Sequence, residues 1–424
     1  MQPSGRDVIV VGAGLAGLRC AARLTELGHR VSVLEAAPEV GGRIRTDEID
    51  GFRCDHGFQV FNPAYPAVKR WVDVEALGIQ HFASGVLIRR EHGLVVLADP
   101  VRSPGMVAGS LRSGLVNARE LAALLRWIGP TLASPRRTLY DADETLGASL
   151  DRIGVNASLR REVLQPFLAG ISADSYEATS ARLSKLLVRM FALGRPGLPA
   201  GGMQALPEQL AMAFRARGGK VHLEERVETI TRGEASLMVR TAVQSHTADA
   251  VVIAADPSTG SALAGLPEPA MRGLVTWWFG ADEAPHPLPM LTLDGRRLTG
   301  SSPGPIWNAA VISNAAPTYA PAGRHLISAT TLLDCPDGEA PESAIRHHLG
   351  EIYGCNASGW DLIARHHIPR ALPAFAPLTP FKKSVDLGGG LFVCGDHRDT
   401  PSIQGALVSG HRTAELVNSH LFVR

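Results

Sequence analysis

Short runs of β-branched residues alternate with a longer amphipathic segment at the start of the chain. Asp7–Val11 and Arg30–Leu34 are apolar runs typical of strands buried on both faces. Between them, residues 18–27 have the length and composition of a helix, and Gly28 follows at the position where helices commonly end. The order of strand, helix and strand predicts a βαβ unit and therefore an α/β fold.

Similar patterns recur farther along the chain. Residues 46–61 alternate around Asp50 and Gly51, which predicts a hairpin. Four other segments are predicted to be strands or β-rich: residues 85–97, 221–230, 250–255, 326–333, with 391–396 as a last strand. Helical spacing is found in residues 119–128, 162–168 and 342–352. The stretch 119–127 fits either an interfacial membrane helix or a core helix, and its leucines at ordinary core spacing favour the core.

Composition narrows the class of protein. The 424 residues are 45% hydrophobic, and 42 basic against 41 acidic side chains leave a formal charge of +1. Without a strong overall field, we expect no nucleic-acid partner. The five scattered cysteines form no CxxC pair, and no apolar run approaches the ~20 residues that span a bilayer. We therefore expect a cytoplasmic protein without stable membrane insertion.

A glycine-rich turn, Gly12, Gly14 and Gly17 in GxGxxG spacing, follows the first strand. The first glycine allows a tight turn, the second lets the backbone approach a pyrophosphate, and the third lets the helix pack closely on the strand. The helix N-terminus offers free N–H groups to the pyrophosphate. Glu35, at the end of the second strand, can accept hydrogen bonds from ribose hydroxyls and would repel a 2′-phosphate. The pattern predicts a dinucleotide, with NAD and FAD both open.

A second glycine pair follows Glu35 closely. Gly41 and Gly42 predict another close backbone approach, and Arg43 supplies a charged donor for phosphate. In this segment the chain resembles the superfamily of flavin amine oxidases, protoporphyrinogen oxidases and phytoene desaturases. In that superfamily, a Gly-Gly-Arg segment follows the ribose-binding glutamate and contacts the FAD diphosphate. The resemblance implies FAD as the cofactor and a Rossmann-like FAD-binding domain with a discontinuous substrate-binding domain.

Four later segments extend the resemblance. Residues 55–59 are similar to the stretch beside the flavin ring, and residues 199–203 to a Pro-x-Gly-Gly-Met segment. Asp396 is similar to an acid that binds the ribityl chain. The last helix, with Thr400 as a possible N-cap, is implied to direct its N-terminus at the flavin N1 and C2 carbonyl. The glycine turn and the resemblance together predict these cofactor-binding residues: Gly12, Gly14, Ala16, Gly17, Glu35, Ala36, Gly41, Gly42, Arg43, Gly57, Phe58, Gln59, Val227, Gly395, Asp396, Ile403, Gln404 and Ala406.

The resemblance also implies how the domains are divided. We expect an FAD-binding domain assembled from residues 1–75, 195–270 and 381–424. The substrate-binding domain is expected from residues 76–194 and 271–380. Trp277, Trp278 and Trp307 fall in the second insert, where they are expected to pack in the core or to form a pocket wall.

The histidines have competing interpretations. His56, beside the predicted flavin segment, fits a structural residue best, with a proton relay or a flavin tether as alternatives. The neighbouring histidines at 347–348 and 366–367 point in different directions and have no partner at ligand spacing. We therefore expect no metal site. No catalytic residue is assigned, since hydride transfer to a flavin depends mainly on substrate placement.

The expected activity is that of an FAD-dependent oxidoreductase. It would remove a hydride from a small or medium-sized, apolar or cyclic substrate to the flavin N5, in a desaturase- or protoporphyrinogen oxidase-like dehydrogenation. Oxygen or a quinone would act as the electron acceptor. Oxidation of an amine at its C–N bond is the alternative. Within it a monoamine oxidase is disfavoured, because Ser402, Ile403 and Gln404 stand where amine oxidases place an aromatic ring. A non-redox isomerase or binding module is the alternative from another class.

Overall fold

The computed structural model describes residues 5–99, 102, 114–115, 117–234, 236–296 and 303–423. The strands are β1 (Asp7–Val11), β2 (Arg30–Leu34), β3 (Thr46–Ile49), β4 (Phe52–Asp55), β5 (Gln80–His81), β6 (Gly85–Arg90), β7 (Gly93–Ala98), β8 (Gly197–Leu198), β9 (Lys220–His222), β10 (Val227–Arg232), β11 (Leu237–Thr241), β12 (Ser245–Ala248), β13 (Ala250–Ile253), β14 (Met271–Ala281), β15 (Leu291–Asp294), β16 (Asn308–Val311), β17 (His325–Leu332), β18 (Asp361–Pro373) and β19 (Leu391–Val393). The helices are α1 (Leu15–Glu26), α2 (Pro66–Trp71), α3 (Ala118–Ala133), α4 (Pro135–Thr138), α5 (Leu146–Arg152), α6 (Gln165–Ser172), α7 (Ala181–Leu193), α8 (Ala205–Ala216), α9 (Pro257–Ala264), α10 (Ile312–Ala315), α11 (Glu342–Tyr353) and α12 (Ile403–Val423).

Strand β1 lies at the centre of a five-stranded parallel sheet with the order β19, β13, β1, β2, β9. Val8 and Val10 pack with residues of α1, α8 and α12, whereas Ile9 and Val11 pack with the antiparallel sheet β10–β12. Both faces of β1 are therefore covered, which is why its sequence is apolar without alternation. The predicted α/β fold with a βαβ unit is confirmed.

A second sheet has seven strands in the order β18, β14, β17, β16, β15, β6, β7. On one side, which we call the helix face, Trp277, Phe279 and Ile327 pack against Ile345 and Leu349 of α11. The opposite side, which we call the inner face, bears the alternate residues of each strand. Trp278 of the inner face belongs to the same core as the helices of the parallel sheet, so this face is turned toward the dinucleotide-type unit.

The two sheets draw their strands from different parts of the chain. Those of the parallel sheet lie within residues 1–75, 195–270 and 381–424, and those of the seven-stranded sheet within 76–194 and 271–380. The exact domain boundaries stay a prediction. Within these predicted segments, residues 1–4, 100–101, 103–113, 116, 235, 297–302 and 424 lie outside the described part of the chain.

Two local expectations were wrong, and a third, the helical spacing of residues 162–168, falls on two kinds of helix. Helix α1 begins at Leu15 and not at residue 18, because the glycine turn leads directly into the first helical turn. Residues 221–230 form two strands in different sheets, since Glu224 adopts a positive φ of 57° and turns the chain between β9 and β10. The apolar run 162–168 spans the end of a π-helical turn, Leu159–Leu164, and the start of α6. Sequence periodicity does not distinguish these helix types.

Helix α3 covers the stretch for which a membrane-surface helix and a core helix were both considered. Its Ala123, Trp127 and Ile128 pack with Leu146 and Leu150 in a small hydrophobic core. The Trp127 indole N–H also donates to Ser149 Oγ at 2.9 Å. Among the described residues, no helix is both long enough and apolar enough to cross a membrane.

Candidate cofactor and substrate site

The three glycines of the first turn meet different constraints. Gly12 has a φ of +105°, and a Cβ there would lie 2.7 Å from the Ala254 carbonyl oxygen. A Cβ at Gly17 would lie 2.1 Å from the Gly12 oxygen, so α1 can approach the turn only with glycine at this position. At Gly14 the nearest atom is the Gly41 oxygen at 3.9 Å, which leaves its outer side open. The turn therefore has the geometry for close approach of a phosphate at the start of α1.

Glu35 binds the same turn through its carboxylate. Oε2 accepts a hydrogen bond from the Ala13 N–H at 2.6 Å, and Oε1 accepts one from the Ala37 N–H at 2.9 Å. Each carboxylate oxygen can accept a second hydrogen bond, so both can still receive ribose hydroxyls. The exposed Ala36 follows directly, and the Glu225 N–H binds the Glu35 carbonyl at 2.8 Å. This last contact brings the start of β10, with Val227, to the predicted adenosine end.

The second glycine pair lies against the first turn. The Gly41 N–H donates to the Ala13 carbonyl at 2.9 Å. A Cβ at Gly42 would lie 3.4 Å from the Gly14 Cα, and Gly41 and Gly42 both adopt positive φ. Two glycine segments that are separate in sequence thus form one cradle, as a diphosphate-binding site requires.

Arg43 joins this cradle to the C-terminal part of the chain. Its Nη2 donates to Asp396 Oδ1 at 2.5 Å and its Nη1 to the Ala371 carbonyl at 3.0 Å. Burial favours the neutral form of Arg43, but Asp396 outweighs it and raises the arginine pKa. The sequence predicts that Arg43 binds a phosphate of the cofactor, and the resemblance implies that Asp396 binds the ribityl chain. In the structure the two side chains pair with each other, and their roles toward the cofactor stay predictions.

The β3–β4 hairpin leads into the predicted flavin segment. A Cβ at Gly57, which has a φ of +93°, would lie 3.3 Å from Ile368 Cδ1 and 3.7 Å from Leu274 Cδ1 of the inner face. Gln59 Nε2 donates to the carbonyls of Arg43 and His56, each at 3.0 Å. The flavin segment therefore lies between the glycine cradle and the seven-stranded sheet.

The buried carboxylate of Asp55 anchors this hairpin through three hydrogen bonds. Its carboxylate accepts hydrogen bonds from Thr46 Oγ1 at 2.5 Å, the Met203 N–H at 3.0 Å and the Tyr319 hydroxyl at 3.0 Å. Complete burial raises the pKa of Asp55 to about 6, although the three hydrogen bonds favour its charged form. The predicted Pro-x-Gly-Gly-Met segment, which ends at Met203, is thereby attached to the hairpin.

The last helix begins two residues later than its predicted cap implies. Ser402 and not Thr400 is the N-cap, because Ser402 Oγ accepts the Gly405 N–H at 3.1 Å and α12 starts at Ile403. The predicted cap was therefore wrong. A Cβ at Gly405 would lie 1.9 Å from the Thr400 oxygen. The first N–H groups of a helix have no intrahelical acceptor, so those of Ile403 and Gln404 remain available to a ligand.

Other predicted residues of this region serve packing as well. The Gln404 side chain accepts the Ala67 N–H at 2.8 Å, which joins α12 to α2. The Ala406 N–H continues the helix by donating to the Ser402 carbonyl at 2.9 Å. Ala16 lies where α1 crosses α12, since a Cβ at Gly410 would lie 2.1 Å from the Ala16 oxygen. Phe58 packs edge-on against Phe82 with ring centroids 6.1 Å apart.

The structure also brings together a set of buried polar side chains on the inner face that sequence reasoning missed. Across the inner face, Asn308 pairs with Thr330, Thr330 with Thr276, and Thr276 with His366, so neighbouring strands bring the four side by side. Thr276 and Thr330 are at most 1% exposed, yet Thr276 Oγ1, Thr330 Oγ1 and Asn308 Oδ1 find no hydrogen-bond partner among the described residues. Ser328 Oγ and Trp278 Nε1, on the adjacent cross-strand pair, are buried and unpartnered as well.

Buried polar groups without partners are unusual, because each costs about 1–3 kcal/mol. They are concentrated on the face of the sheet that meets the flavin segment. We call Asn308, Thr330 and Thr276 the polar row. The signal in the sequence was a polar residue at alternate positions of otherwise apolar strands, and only the cross-strand register joins these positions into one surface.

Four features of the cradle indicate which ligand it fits. The open side of Gly14, the contact of Gly42 with Gly14, the carboxylate of Glu35 and the start of α1 together match a pyrophosphate with an adenosine ribose. The fold and the cradle thus define a dinucleotide-binding protein.

Comparison with known proteins identifies the family. A family model described as flavin containing amine oxidoreductase matches residues 15–418. Putrescine oxidase of Kocuria rosea is 29% identical over 230 residues, which cover 49% of this chain and 45% of that protein. A zeta-carotene-forming phytoene desaturase of Myxococcus xanthus is 28% identical over 256 residues, which cover 53% of this chain and 48% of that protein. The crystal structure of an oxidoreductase from Methanosarcina mazei matches with a TM-score of 0.76 at 19% identity, covering 96% of this chain and 100% of that one.

The chain belongs to the flavin-containing amine oxidoreductase family. It is an FAD-dependent oxidoreductase, and the predicted fold, cofactor and class of enzyme are confirmed. A small-molecule substrate follows from the family. The alignments span about half the length of these curated relatives, and the named relatives act on different substrates. The structural likeness at 19% identity shows the fold alone.

Proposed function

We propose that this chain dehydrogenates an organic substrate by hydride removal from a C–H bond, in a desaturase- or protoporphyrinogen oxidase-like reaction. The observation that supports the proposal most is the polar row beside the flavin segment. FAD, when bound, supplies the hydride acceptor at the flavin N5. Oxygen or a quinone is the proposed electron acceptor.

The polar row determines how the substrate is held. Thr330 and Thr276 offer hydroxyls that both donate and accept, and Asn308 offers an amide carbonyl. Cross-strand neighbours on one face are separated by ~5 Å, so the row presents hydrogen-bonding groups along one line. A substrate with hydroxyl, carbonyl or neutral nitrogen groups satisfies these atoms, whereas a pure hydrocarbon leaves them unpaired. We therefore propose a substrate with polar substituents, which revises the apolar substrate expected from the sequence.

Apolar side chains surround the row and keep the site dry. Leu274 and Ile368 lie on the side toward Gly57, and Ala169 and Leu332 pack with them in one core. Exclusion of water strengthens every hydrogen bond between the row and the substrate. The same side chains hold the substrate C–H at the flavin segment. Such placement is the main contribution that the protein makes to a hydride transfer.

Amine oxidation at a C–N bond is the second candidate, because putrescine oxidase is among the relatives. The side chains of the polar row are uncharged. A diammonium substrate gains no ion pair from them, so the row favours a neutral substrate. Among amines, a monoamine with a polar neutral portion fits best.

Anaerobic reduction of the flavin tests the proposal. The FAD-loaded chain is mixed with a panel of porphyrinogens, oxygenated polyenes, hydrocarbon polyenes, monoamines and diamines, and bleaching of the flavin absorbance is followed. We expect oxygenated neutral compounds to reduce the flavin fastest. Reduction by diamines alone would overturn the dehydrogenation proposal in favour of amine oxidation, and reduction by hydrocarbon polyenes alone would overturn the role of the polar row.

A further inference from the structure

Three side chains that are distant in sequence meet at one edge of the substrate region. Asp47 lies on β3, His56 directly follows β4, and His366 lies on β18. Asp47 Oδ2 is 2.9 Å from His56 Nε2 and 3.0 Å from His366 Nε2. The two imidazole rings are stacked with centroids 4.3 Å apart. One carboxylate oxygen and two imidazole nitrogens therefore lie within 4.8 Å of one another.

The hydrogen bonding of His366 defines its tautomer. Its Nδ1 lies 3.0 Å from the Asp55 backbone carbonyl, which can only accept, so Nδ1 carries the proton. In the neutral ring Nε2 then presents a lone pair to the Asp47 carboxylate, which also only accepts. Two acceptors at 3.0 Å need a cation between them, either a proton or a metal ion.

His56 adds a second unsatisfied nitrogen. Its Nε2 is buried and makes no aligned hydrogen bond, although Asp47 Oδ2 lies only 2.9 Å away. Misalignment of this kind is expected when two ligand atoms point at a common centre and not at each other. Ligands at ~2.0–2.2 Å from one ion and at roughly right angles are about 3 Å apart, which matches both measured separations.

The arrangement also has the outer contact that metal sites use. A ligating imidazole commonly donates its other ring N–H to a backbone carbonyl or a carboxylate, which fixes the ring. The Nδ1 contact of His366 with the Asp55 carbonyl is of this type. The side chains of Asp47 and His56 are 36% and 28% exposed, so an ion could enter from solvent and keep water as a further ligand.

We propose that Asp47, His56 and His366 bind a divalent first-row transition-metal ion, with Zn²⁺ as the reference ion. Two imidazoles and one carboxylate are a donor set that suits such ions. The ion joins the β3–β4 hairpin of the cofactor unit to β18 of the seven-stranded sheet. It lies at the end of the cross-strand pairing that includes Thr276, and so fixes the edge of the substrate region. This proposal departs from the absence of metal expected from sequence, where only adjacent histidines could be compared.

Titration of the FAD-loaded full chain with Zn²⁺ tests the site. The protein is first stripped with a chelator, and binding is followed by calorimetry, with the flavin spectrum as a check on folding. We expect saturable binding of a single equivalent, weakened at least ~30-fold in His366→Ala and in Asp47→Asn. His367→Ala is the matched control, because His367 is the next residue, is 39% exposed and pairs with Glu339 instead. Its affinity is expected to equal that of the unchanged chain.

A second readout tests the joining of the two units. Added Zn²⁺ is expected to raise the thermal unfolding midpoint of the unchanged chain and of His367→Ala, and to leave that of His366→Ala and Asp47→Asn unchanged. Absence of saturable binding at micromolar Zn²⁺ would overturn the proposal. Equal binding by the unchanged chain and by both site variants would also overturn it, by locating the ion elsewhere.

Discussion

The two faces of the seven-stranded sheet are built from the same strands but treat polar side chains differently. On the helix face, Thr331 Oγ1 donates to the Gly338 carbonyl, and Thr292 accepts from the Tyr353 hydroxyl at 3.2 Å. Asp294 is paired there with His348 at 2.8 Å and with Arg296 at 2.6 Å. On the inner face, Thr276, Thr330 and Asn308 are equally buried and have unpartnered oxygens.

This difference separates polar groups that are paired within the fold from those that we propose to bind substrate. On the helix face Trp277 is the exception, since its Nε1 has no hydrogen-bond acceptor within the part of the chain that the structure describes. A paired group contributes to folding, whereas an unpaired buried group reduces stability until a ligand satisfies it. We therefore predict that removing polar atoms from the helix face lowers the free energy of unfolding. Removing them from the inner face should leave it unchanged or raise it.

The largest effect is expected from breaking the ion pair on the helix face. Asp294→Ala leaves His348 and Arg296 without their shared carboxylate, in a place where His348 is 1% exposed. Removing one partner of a buried pair should lower the free energy of unfolding by about 4 kcal/mol. Urea denaturation of the FAD-loaded protein measures it. Asp282→Ala, at a side chain that is 90% exposed, is the control and should change stability by less than about 1 kcal/mol.

A smaller effect depends on pH and comes from the cofactor side. Burial lowers the pKa of His397 to about 4. Since an unfolded histidine titrates near 6.5, only the unfolded state takes up a proton as the pH falls between these values. The contribution of His397 to the free energy of unfolding should thus decrease from pH ~6.5 to pH ~4, by up to about 3 kcal/mol.

The variant His397→Gln isolates this contribution. Its stability relative to the unchanged chain should increase as the pH falls through that window, while His347→Gln, at a side chain that is 77% exposed, should show no such trend. Asp55 and Asp399, whose pKa values burial raises to about 6, are present in both chains. Their contributions therefore cancel in the difference in stability between His397→Gln and the unchanged chain. Parallel pH profiles for the two chains would contradict burial of a neutral His397.

Glu35→Ala should affect the cofactor and neither face of the seven-stranded sheet. Loss of ribose hydrogen bonds to a charged group should weaken FAD binding by roughly 1.5–3 kcal/mol. Equilibrium dialysis of the apoprotein against FAD measures the affinity. Glu39→Ala is the nearby control, because its side chain is 42% exposed and pairs with Arg45. Unchanged FAD affinity in Glu35→Ala would show that another residue binds the ribose.

The smallest and sharpest effect compares two successive threonines. Thr331→Val removes a paired hydroxyl from the helix face and should cost about 1 kcal/mol of stability. Thr330→Val removes an unpaired hydroxyl of similar size from the inner face and should leave stability unchanged or slightly higher. Urea denaturation of both variants measures the difference. A loss of stability at Thr330→Val equal to that at Thr331→Val would remove the distinction between the faces.

The cofactor cradle was readable from sequence because its signals are local. Gly12, Gly14 and Gly17 stand within one turn, and the apolar runs on either side define their strands and helix. The ion pair of Arg43 with Asp396 was not foreseen, because two residues assigned to different parts of the cofactor come together only in the fold. Local spacing gives no information on such pairs.

The substrate region depends on contacts between distant segments. Thr276, Thr330 and Asn308 each follow an apolar pattern that also fits a wholly structural strand. Antiparallel register and strand order place them side by side, and neither is encoded within a single segment. The approach of His366 to His56 has the same origin, since β18 and the hairpin are distant in sequence and meet only in the folded chain.

The most direct test of substrate binding at the inner face is anaerobic flavin reduction by the best compound of the panel. Its concentration dependence is measured for the unchanged chain, Thr276→Val with Thr330→Val combined, and Thr331→Val. We predict that the half-saturating concentration rises about tenfold in the combined variant, from two lost hydrogen bonds, and is unchanged in Thr331→Val. An unchanged half-saturating concentration in the combined variant would contradict it.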